Sequence, residues 1–321
     1  MNKPNKIYIA GHNGLVGTAI QKRLKSEGYD NIITKTSREL DLTNQAAVEH
    51  FFSENKPEYV FLAAAKVGGI GANSEYPVEF IYQNTMIGFN VVHAAYKNGV
   101  KKLINLGSSC IYPKLAPQPI KEEYLLSDLL EPTNEAYAVA KISVIKLCSS
   151  YNHQYGTNFL SVMPTNLYGP GDNYDLSGSH VLPALIRKFH EAKISGADRV
   201  TLWGDGSSRR EFLYSSDLAQ ALVMLMQNSN ARDLSSPAGD FVNVGCGKDL
   251  TIKELAESIR DIVYEGLPNR NCAIEWDTSK PNGTPQKLLD ISRITALGFS
   301  PKIGLSEGAK LAYEDFVNNY H

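Results

Sequence analysis

Through the first half of the chain, short apolar runs alternate with longer segments whose apolar residues recur every three or four positions. Lys6–Ala10, Ile32–Thr34, Tyr59–Leu62, Leu103–Leu106 and Phe159–Met163 read as strands, being brief and nearly all apolar. Between them, Val16–Glu27, Gln45–Asn55, Val78–Asn98 and Ala136–Tyr155 carry helical spacing. Strands that alternate with helices build right-handed βαβ units. The expected fold is therefore α/β, a doubly wound parallel sheet covered on both faces.

Beyond Pro164 the pattern loosens. Helices are expected at His180–Ala192, Asp217–Gln227, Ile252–Tyr264 and Glu307–Asn319, and strands at Arg199–Trp203, Phe241–Val244 and Ala273–Trp276. Turn-rich pieces, Gly169–Gly178 and Pro281–Pro285, interrupt them. No linker-like stretch separates the halves. Residues 1–165 should form a nucleotide-binding domain and 166–321 mainly a smaller α/β substrate lobe woven into it, with residues near 213–248 returning to the first sheet.

A length of 321 residues suits one large or two interlocked domains. Lys plus Arg at 32 against Asp plus Glu at 34 leaves a net charge of −2. No basic excess points to nucleic acid, so an anionic ligand needs a local cluster of charge. Cys110, Cys148, Cys246 and Cys272 share no metal-ligand spacing and are too few for a disulfide framework. No metal and a reducing, cytoplasmic setting are expected. Met1–Asn5 runs straight into a strand, leaving no room for a signal peptide. No apolar stretch reaches the ~18 residues of a membrane span.

The first strand ends in Gly11-His12-Asn13-Gly14-Leu15-Val16-Gly17, and a helix follows. Glycines here permit a tight turn and close backbone approach to a pyrophosphate, while the helix start offers free N–H groups. Such spacing also occurs in ordinary turns. Its place between the first strand and first helix makes it a dinucleotide site in a Rossmann-like sheet. An NAD site usually ends the second strand with a carboxylate for the ribose 2′-OH. Here Lys35 and Arg38 stand in Thr34-Lys35-Thr36-Ser37-Arg38, and two cations suit the 2′-phosphate of NADP. A solvated charged loop is the alternative. Asp41, just beyond, is placed to reach the adenine edge.

Tyr137 and Lys141, four apart on one predicted helix, share a face. A nearby ammonium stabilises tyrosinate, so such a Tyr exchanges a proton with a substrate oxygen. Among 17 tyrosines such a pair also arises by chance. Placement gives it weight: this helix follows the fourth strand and opens at the carboxyl edge of the sheet. Ser108 ends that strand in Leu106-Gly107-Ser108, where its hydroxyl could bond the same oxygen or simply close a turn. Read alone, a cysteine placed like Cys110 is more often a packing residue and a histidine placed like His180 more often a helix-end residue.

Together the glycine pattern, Ser108 and Tyr137-x3-Lys141 resemble the extended short-chain dehydrogenase/reductase family. Longer stretches resemble one branch, across essentially the whole chain: Leu62-Ala-Ala-Ala-Lys66-Val-Gly-Gly-Ile70, Gly107-Ser-Ser-Cys110-Ile-Tyr-Pro-Lys114, Met163-Pro-Thr-Asn-Leu-Tyr-Gly-Pro170, Arg210-Glu-Phe-Leu213 and Lys287-Leu-Leu-Asp290. That branch epimerises GDP-4-keto-6-deoxy-D-mannose at C3 and C5, then reduces C4 with NADPH to give GDP-L-fucose. The resemblance implies Cys110 as base, His180 as acid, and Ser108 and Tyr137 as donors to the C4 oxygen. Lys141 would hold the nicotinamide ribose and keep Tyr137 acidic. Cys110 discriminates, because related 4-epimerases carry a hydroxyl or small residue there and 4,6-dehydratases an Asp-Glu pair. A thiol suits deprotonation beside a ketone if nearby positive charge favours thiolate.

The resemblance also implies cofactor contacts from the Gly11–Gly17 loop, Lys35, Arg38, Asp41, Leu62, Ala63, Ala64, Leu106, Gly107, Lys141, Pro164, Thr165, Asn166, Leu167 and His180. It assigns the substrate nucleotide to Lys188, Trp203, Arg210 and the Lys280-Pro-Asn282-Gly-Thr284 loop. Three positions depart: related enzymes usually have an acid at Asn282, and Arg at Gln286 and Lys188. A homodimer through Val78–Asn98 and Ala136–Tyr155 is implied as well. An NAD-recycling 4-epimerase or 4,6-dehydratase, and a non-enzymatic NADP-sensing regulator, stay open as alternatives. Replacing Lys35 and Arg38 by Ala is expected to weaken NADPH by about tenfold or more and NADH hardly at all. Equal losses in binding titrations would contradict the 2′-phosphate assignment.

Overall fold

The computed structural model describes residues 1–176, 178–267, 272–280 and 282–320. Ser177 and Pro281, within the two expected turn-rich pieces, lie outside the described residues. The first half runs β1 (Ile7–Ala10), α1 (Leu15–Ser26), β2 (Ile32–Lys35), α2 (Gln45–Asn55), β3 (Tyr59–Leu62), α3 (Ile70–Glu75), α4 (Pro77–Lys97), β4 (Lys102–Leu106), α5 (Glu135–Tyr155) and β5 (Phe159–Pro164). Every residue of β1, β4 and β5 is buried, as strands covered on both faces require. Local chemistry sets the helix ends. Asn44 caps α2 by accepting the Ala47 N–H at 3.1 Å, and Gly156 stops α5 in the left-handed region.

The second half runs β6 (Asn166–Tyr168), α6 (Val181–Ser195), β7 (Arg199–Trp203), β8 (Arg209–Tyr214), α7 (Ser215–Asn228), β9 (Ser235–Ser236) and β10 (Gly239–Val244). It continues with β11 (Asp249–Thr251), α8 (Ile252–Val263), β12 (Ala273–Asp277), β13 (Gln286–Lys287), α9 (Ser292–Ala296) and α10 (Leu305–Asn319). A capping box between Thr251 and Glu254 starts α8, whose apolar face packs on α6 and α10.

The main sheet has the order β2-β1-β3-β4-β5-β10-β9, parallel except for the β9–β10 pair. The chain therefore leaves after β5, builds β6 to β8, and comes back as α7 and β10. Leu218, Leu222 and Leu225 of α7 pack into the same core as Ile7, Ile20 and Ile104. A second sheet, β11-β8-β13 with β6 on β8, and a parallel β7–β12 pair form the other lobe. Its own core gathers Phe189, Phe212, Leu255, Ile259 and Phe316.

Five strands and two helices fall where the pattern gave no element. β8 begins Arg209-Arg210-Glu211, a charged start that hides a strand because Glu211 is fully buried and Arg209 is taken up by Asp249 at 2.8 Å. β6, β11 and β13 are three residues or fewer and get their pairing from β8. α3 starts after Gly68-Gly69, where local propensity opposes a helix.

The Gly169–Gly178 piece is anchored to α10: Gly171 N–H donates to Asp315 at 2.8 Å and Tyr174 O–H to the Ala312 carbonyl at 2.9 Å. Within it Asp172 accepts the Asn173 N–H at 2.8 Å through one oxygen, while the other is buried without a partner. Burial pushes this carboxyl up to about 7. A folded pKa above the unfolded one contributes stability that is complete below the unfolded value, about 3.9, and is lost as pH rises through about 7. Asp172→Asn is thus expected to raise Tm by several degrees near pH 8 and hardly at all near pH 4. Thermal melts showing the same gain at both pH values would refute this.

Candidate active site

The carboxyl ends of β1, β3, β4 and β5 open on one edge of the main sheet. At the first of them, Gly11 adopts φ +86°, and a Cβ there would stand 2.6 Å from the Ala64 nitrogen. Gly17 lies so close to the Gly11 carbonyl that its Cβ would also stand 2.6 Å from the His12 Cα. Gly14 is different: its nearest neighbour is the Gly11 oxygen at 3.6 Å, so its outer side is open. Gly14 precedes α1, which has no side-chain cap and no acidic residue in its first turn. The buried Nδ1 of His12 has no partner. Leu15 opens α1, and Val16 packs on the core beneath. Free N–H groups, an unspent imidazole nitrogen and a space shaped by absent Cβ atoms fit a bound pyrophosphate.

Around this cradle, Ala63 N–H donates to the Ala10 carbonyl at 3.0 Å and Gly107 N–H to Val162 at 2.8 Å, fixing Leu62–Ala64 and Leu106–Gly107 at the edge. Pro164 ends β5, and Thr165 N–H donates to Val244 at 3.1 Å. The Asn166 amide donates to the Glu211 carbonyl at 2.9 Å, and Leu167 packs on the core. Beyond β2, Lys35 lies 3.5 Å from Glu39, whose carboxylate also takes Thr36 N–H and O–H at 2.8 Å. Arg38 is exposed and makes no ion pair among the described residues. One oxygen of Asp41 is committed to the Thr43 N–H and O–H at 2.9 and 2.7 Å, leaving the other for a ligand.

Ser108, Cys110, Tyr137 and Lys141 come together where β4 ends and α5 begins. Ser108 caps a 3-10 turn, its oxygen 3.4 Å from the Cys110 N–H, and its hydroxyl interacts with both the Cys110 thiol and the Tyr137 phenol. Tyr137 packs edge-on against buried Phe80, ring centroids 6.0 Å apart. Lys141 donates to the Leu106 carbonyl at 2.9 Å, with its ammonium 5.7 Å from the Tyr137 ring centre.

The electrostatics correct the expected resting states. Lys141 does not make Tyr137 acidic: burial raises the phenol pKa, the Cys110 charge adds to the rise, and the ammonium points at a carbonyl. Burial lowers Lys141 itself to about 8. Cys110 is likewise raised by burial, which outweighs Lys287, Ser108 and Lys141 acting against it. His180 precedes α6 without capping it. Its side chain is exposed at the cleft mouth yet surrounded at depth by protein, and desolvation lowers the imidazole pKa. No hydrogen bond joins it to Cys110 or Tyr137 among the described residues.

The expected substrate residues occupy the second lobe. Trp203, 57% exposed at the end of β7, has the Lys280 ammonium 5.6 Å above its ring. Arg210 donates to the Arg209 carbonyl at 2.8 Å, and the Gly283 backbone lies against its guanidinium. Lys188 donates to the Thr201 carbonyl at 3.0 Å. Asn282 accepts the Asp205 N–H at 3.0 Å through its side-chain oxygen, which commits one lone pair of that oxygen to the loop. Gln286 donates to Asp249 at 2.6 Å, and Asp249 pairs with Arg209 at 2.8 Å. The Gln286 departure thus serves the loop scaffold.

The sequence matches the model of the NAD dependent epimerase/dehydratase family over residues 7–245. The chain belongs to that family. Among its relatives, GDP-L-fucose synthase 1 of Arabidopsis thaliana is 52% identical over 319 residues, covering 99% of this chain and 95% of that one. GDP-L-fucose synthase of Escherichia coli strain K12 is 50% identical over 317 residues, covering 98% and 97%. The solved GDP-mannoheptose C4 reductase of Campylobacter jejuni with NADP bound superposes with a TM-score of 0.88 at 42% identity, covering 99% of both chains.

Two residues of this epimerase/dehydratase chain, the fully buried Glu211 and the half-buried Lys287, were not singled out from sequence. The surrounding Arg210-Glu-Phe-Leu213 and Lys287-Leu-Leu-Asp290 stretches were the available signal. For the cradle, Gly17→Ala is expected to lower Tm by several degrees and NADPH affinity by about tenfold or more, because backbone must move. Gly14→Ala meets only ordinary contact and should leave Tm unchanged. Indistinguishable melting curves for the two variants would contradict this packing.

Proposed function

We propose that this chain converts GDP-4-keto-6-deoxy-D-mannose to GDP-L-fucose, by epimerisation at C3 and C5 and NADPH-dependent reduction at C4. The observation that carries the reading is a cysteine, Cys110, gathered with Ser108, Tyr137 and Lys141 at one strand exit. Whole-length similarity to named GDP-L-fucose synthases at about half identity supports it. So does an NADP-bound GDP-sugar reductase of the same fold.

The C4 ketone acidifies the protons on C3 and C5. Ser108 and Tyr137 donate hydrogen bonds to the ketone oxygen as enolate charge grows there. Tyr137 is suited to this because burial keeps its proton in place. Cys110, as thiolate, takes the carbon proton, and His180, as imidazolium, returns one to the opposite face. When bound, NADPH supplies hydride for C4. Tyr137 then gives its proton to the C4 oxygen. Lys141 orients the nicotinamide ribose, Lys35 and Arg38 hold the 2′-phosphate, and the Gly11–Gly17 loop holds the pyrophosphate.

Residues 1–165 hold the cofactor and most of 166–321 hold the sugar nucleotide, in the division we favour. Trp203 offers its exposed face to guanine, while Lys188, Arg210 and Lys280 supply charge for the diphosphate. Asn282 has its amide N–H group and one lone pair of its oxygen left for the base. A homodimer is part of the reading: Val78, Ile81, Tyr82 and Phe89 form an exposed apolar stripe on α4, with Val139 and Tyr155 exposed on adjoining α5. No helix among the described residues is long and apolar enough to cross a membrane. All four cysteines are unpaired, which supports a reducing, cytoplasmic setting.

A reductase that does not epimerise is the nearest competing reading, favoured by the similarity to GDP-sugar C4 reductases. It would use Ser108, Tyr137 and Lys141 and leave Cys110 and His180 idle. With GDP-4-keto-6-deoxymannose in deuterated water, we expect substrate-dependent NADPH oxidation and deuterium at C3 and C5. Cys110→Ser should slow incorporation by about a hundredfold or more, yet spare reduction of a pre-epimerised ketone. Oxidation of NADPH without incorporation would support the reductase, and no oxidation at all would reject both.

A further inference from the structure

Lys287 is half-buried, its charge acts on the proposed base, and it has no role in the chemistry above. It lies on β13, paired in parallel with β8 so that Lys287 faces Arg210 in register. The residues after it are clamped to the segment that follows Cys110. Ile120 N–H donates to the Leu288 carbonyl at 2.7 Å, and Asp290 N–H to the Ile120 carbonyl at 2.8 Å. Leu288 N–H donates to Gln118 at 2.8 Å and Leu289 N–H to Glu211 at 3.1 Å. Leu289 packs in the same apolar cluster as Cys110. Lys287 is thus set on fixed backbone, two residues before Leu289 and so on the strand face that packs with Cys110, and its charge acts on the thiol.

The charged neighbours leave it that one task. Cys110 is faced by Lys287 from β13, by Tyr137 and Lys141 from α5, and by Ser108 from its own turn. Lys287 is faced by Cys110, by Arg210 of β8 and by Glu131 of the loop before α5. Glu131 is paired with Lys114 at 3.0 Å, and Arg210 only repels another cation. Lys141 is turned to the Leu106 carbonyl. Among the described residues Lys287 makes no ion pair of its own. Desolvation disfavours the charged Lys287 ammonium and the charged Cys110 thiolate alike, and each relieves the other.

We propose that the Lys287 ammonium is the counter-charge of the Cys110 thiolate, a positioning group that readies this base to take the C3 and C5 protons. This rests on the reading of Cys110 as that base. On ionisation the Sγ–H bond breaks and its proton passes to water in the open cleft, while Lys287 keeps all of its own.

The test uses NADP-loaded full-length protein, titrated with iodoacetamide from acid to alkaline pH, with Cys110 alkylation followed by peptide mass mapping. Lys287→Met should move the alkylation midpoint up by about one pH unit or more, a tenfold or larger rate loss near neutrality. Deuterium incorporation at C3 and C5 should fall in parallel, with KM for the sugar nucleotide little changed. Lys287→Arg, which keeps the charge, should restore most of both. Should Lys287→Met not fold, Lys287→Gln carries the same measurement. An unmoved midpoint overturns the proposal, and an unmoved midpoint with raised KM makes Lys287 a diphosphate ligand instead. Cys110→Ser protein that still exchanges deuterium overturns the assignment of the base itself, whatever the alkylation shows.

Discussion

One buried carboxylate joins the two sheets and places most of the site. Glu211, with no exposed surface, takes the N–H groups of Cys246 and Gly247 at 2.6 Å through one oxygen and that of Leu289 at 3.1 Å through the other. Its own carbonyl accepts the Thr165 hydroxyl at 3.1 Å and the Asn166 amide at 2.9 Å. A carboxylate taken out of water needs such replacement, and losing it would cost several kcal/mol. Even so, burial raises its pKa. The contact is close enough that a Cβ on Gly245 would stand 2.8 Å from one carboxylate oxygen. Through this side chain the exits of β5 and β10, the strand carrying Arg210 and the segment after Lys287 hold fixed positions relative to one another.

Desolvation, rather than pairwise charge, governs the resting site. Tyr137 and Cys110 are pushed toward their neutral acids, and Lys141 and His180 toward their neutral bases. A charged group arriving in such a place finds little water to compete with it, so its effect on each of these residues is large. The groups that stay charged are held at the margins, Lys114 on Glu131 and Arg209 on Asp249. The centre is kept neutral and sensitive.

The long elements could be read from the chain because each buries a stripe or a whole strand. Tyr59–Leu62 and Gln45–Asn55 match their expected bounds, and the other main-sheet strands shift by a residue or two. The glycine turn was legible because sterics demand it: nothing larger fits at Gly11 or Gly17. Tertiary context hid the rest. β11 and β13 are too short to show a period, and the charged start of β8 looks solvated although its Glu211 is fully buried. The roles of Glu211 and Lys287 follow from partners far along the chain, which no local pattern contains. That burial outweighs neighbouring charge at Tyr137 and Cys110 was hidden for a related reason, since spacing reveals a neighbouring cation but not the depth at which both side chains lie.

The return of the chain to the first sheet has a bearing on synthesis. β10, from Gly239 to Val244, pairs with β5 and covers an edge that otherwise stays open, and α7 lies against α1. During translation the nucleotide-binding half therefore emerges with a bare strand edge and an uncovered apolar face, and closes only after much of the second lobe has left the ribosome. Neither lobe is a unit that matures before the other. The interval in which β5 stands unpaired is the period when the nascent chain is most exposed to wrong strand partners, and the interleaved topology sets its length.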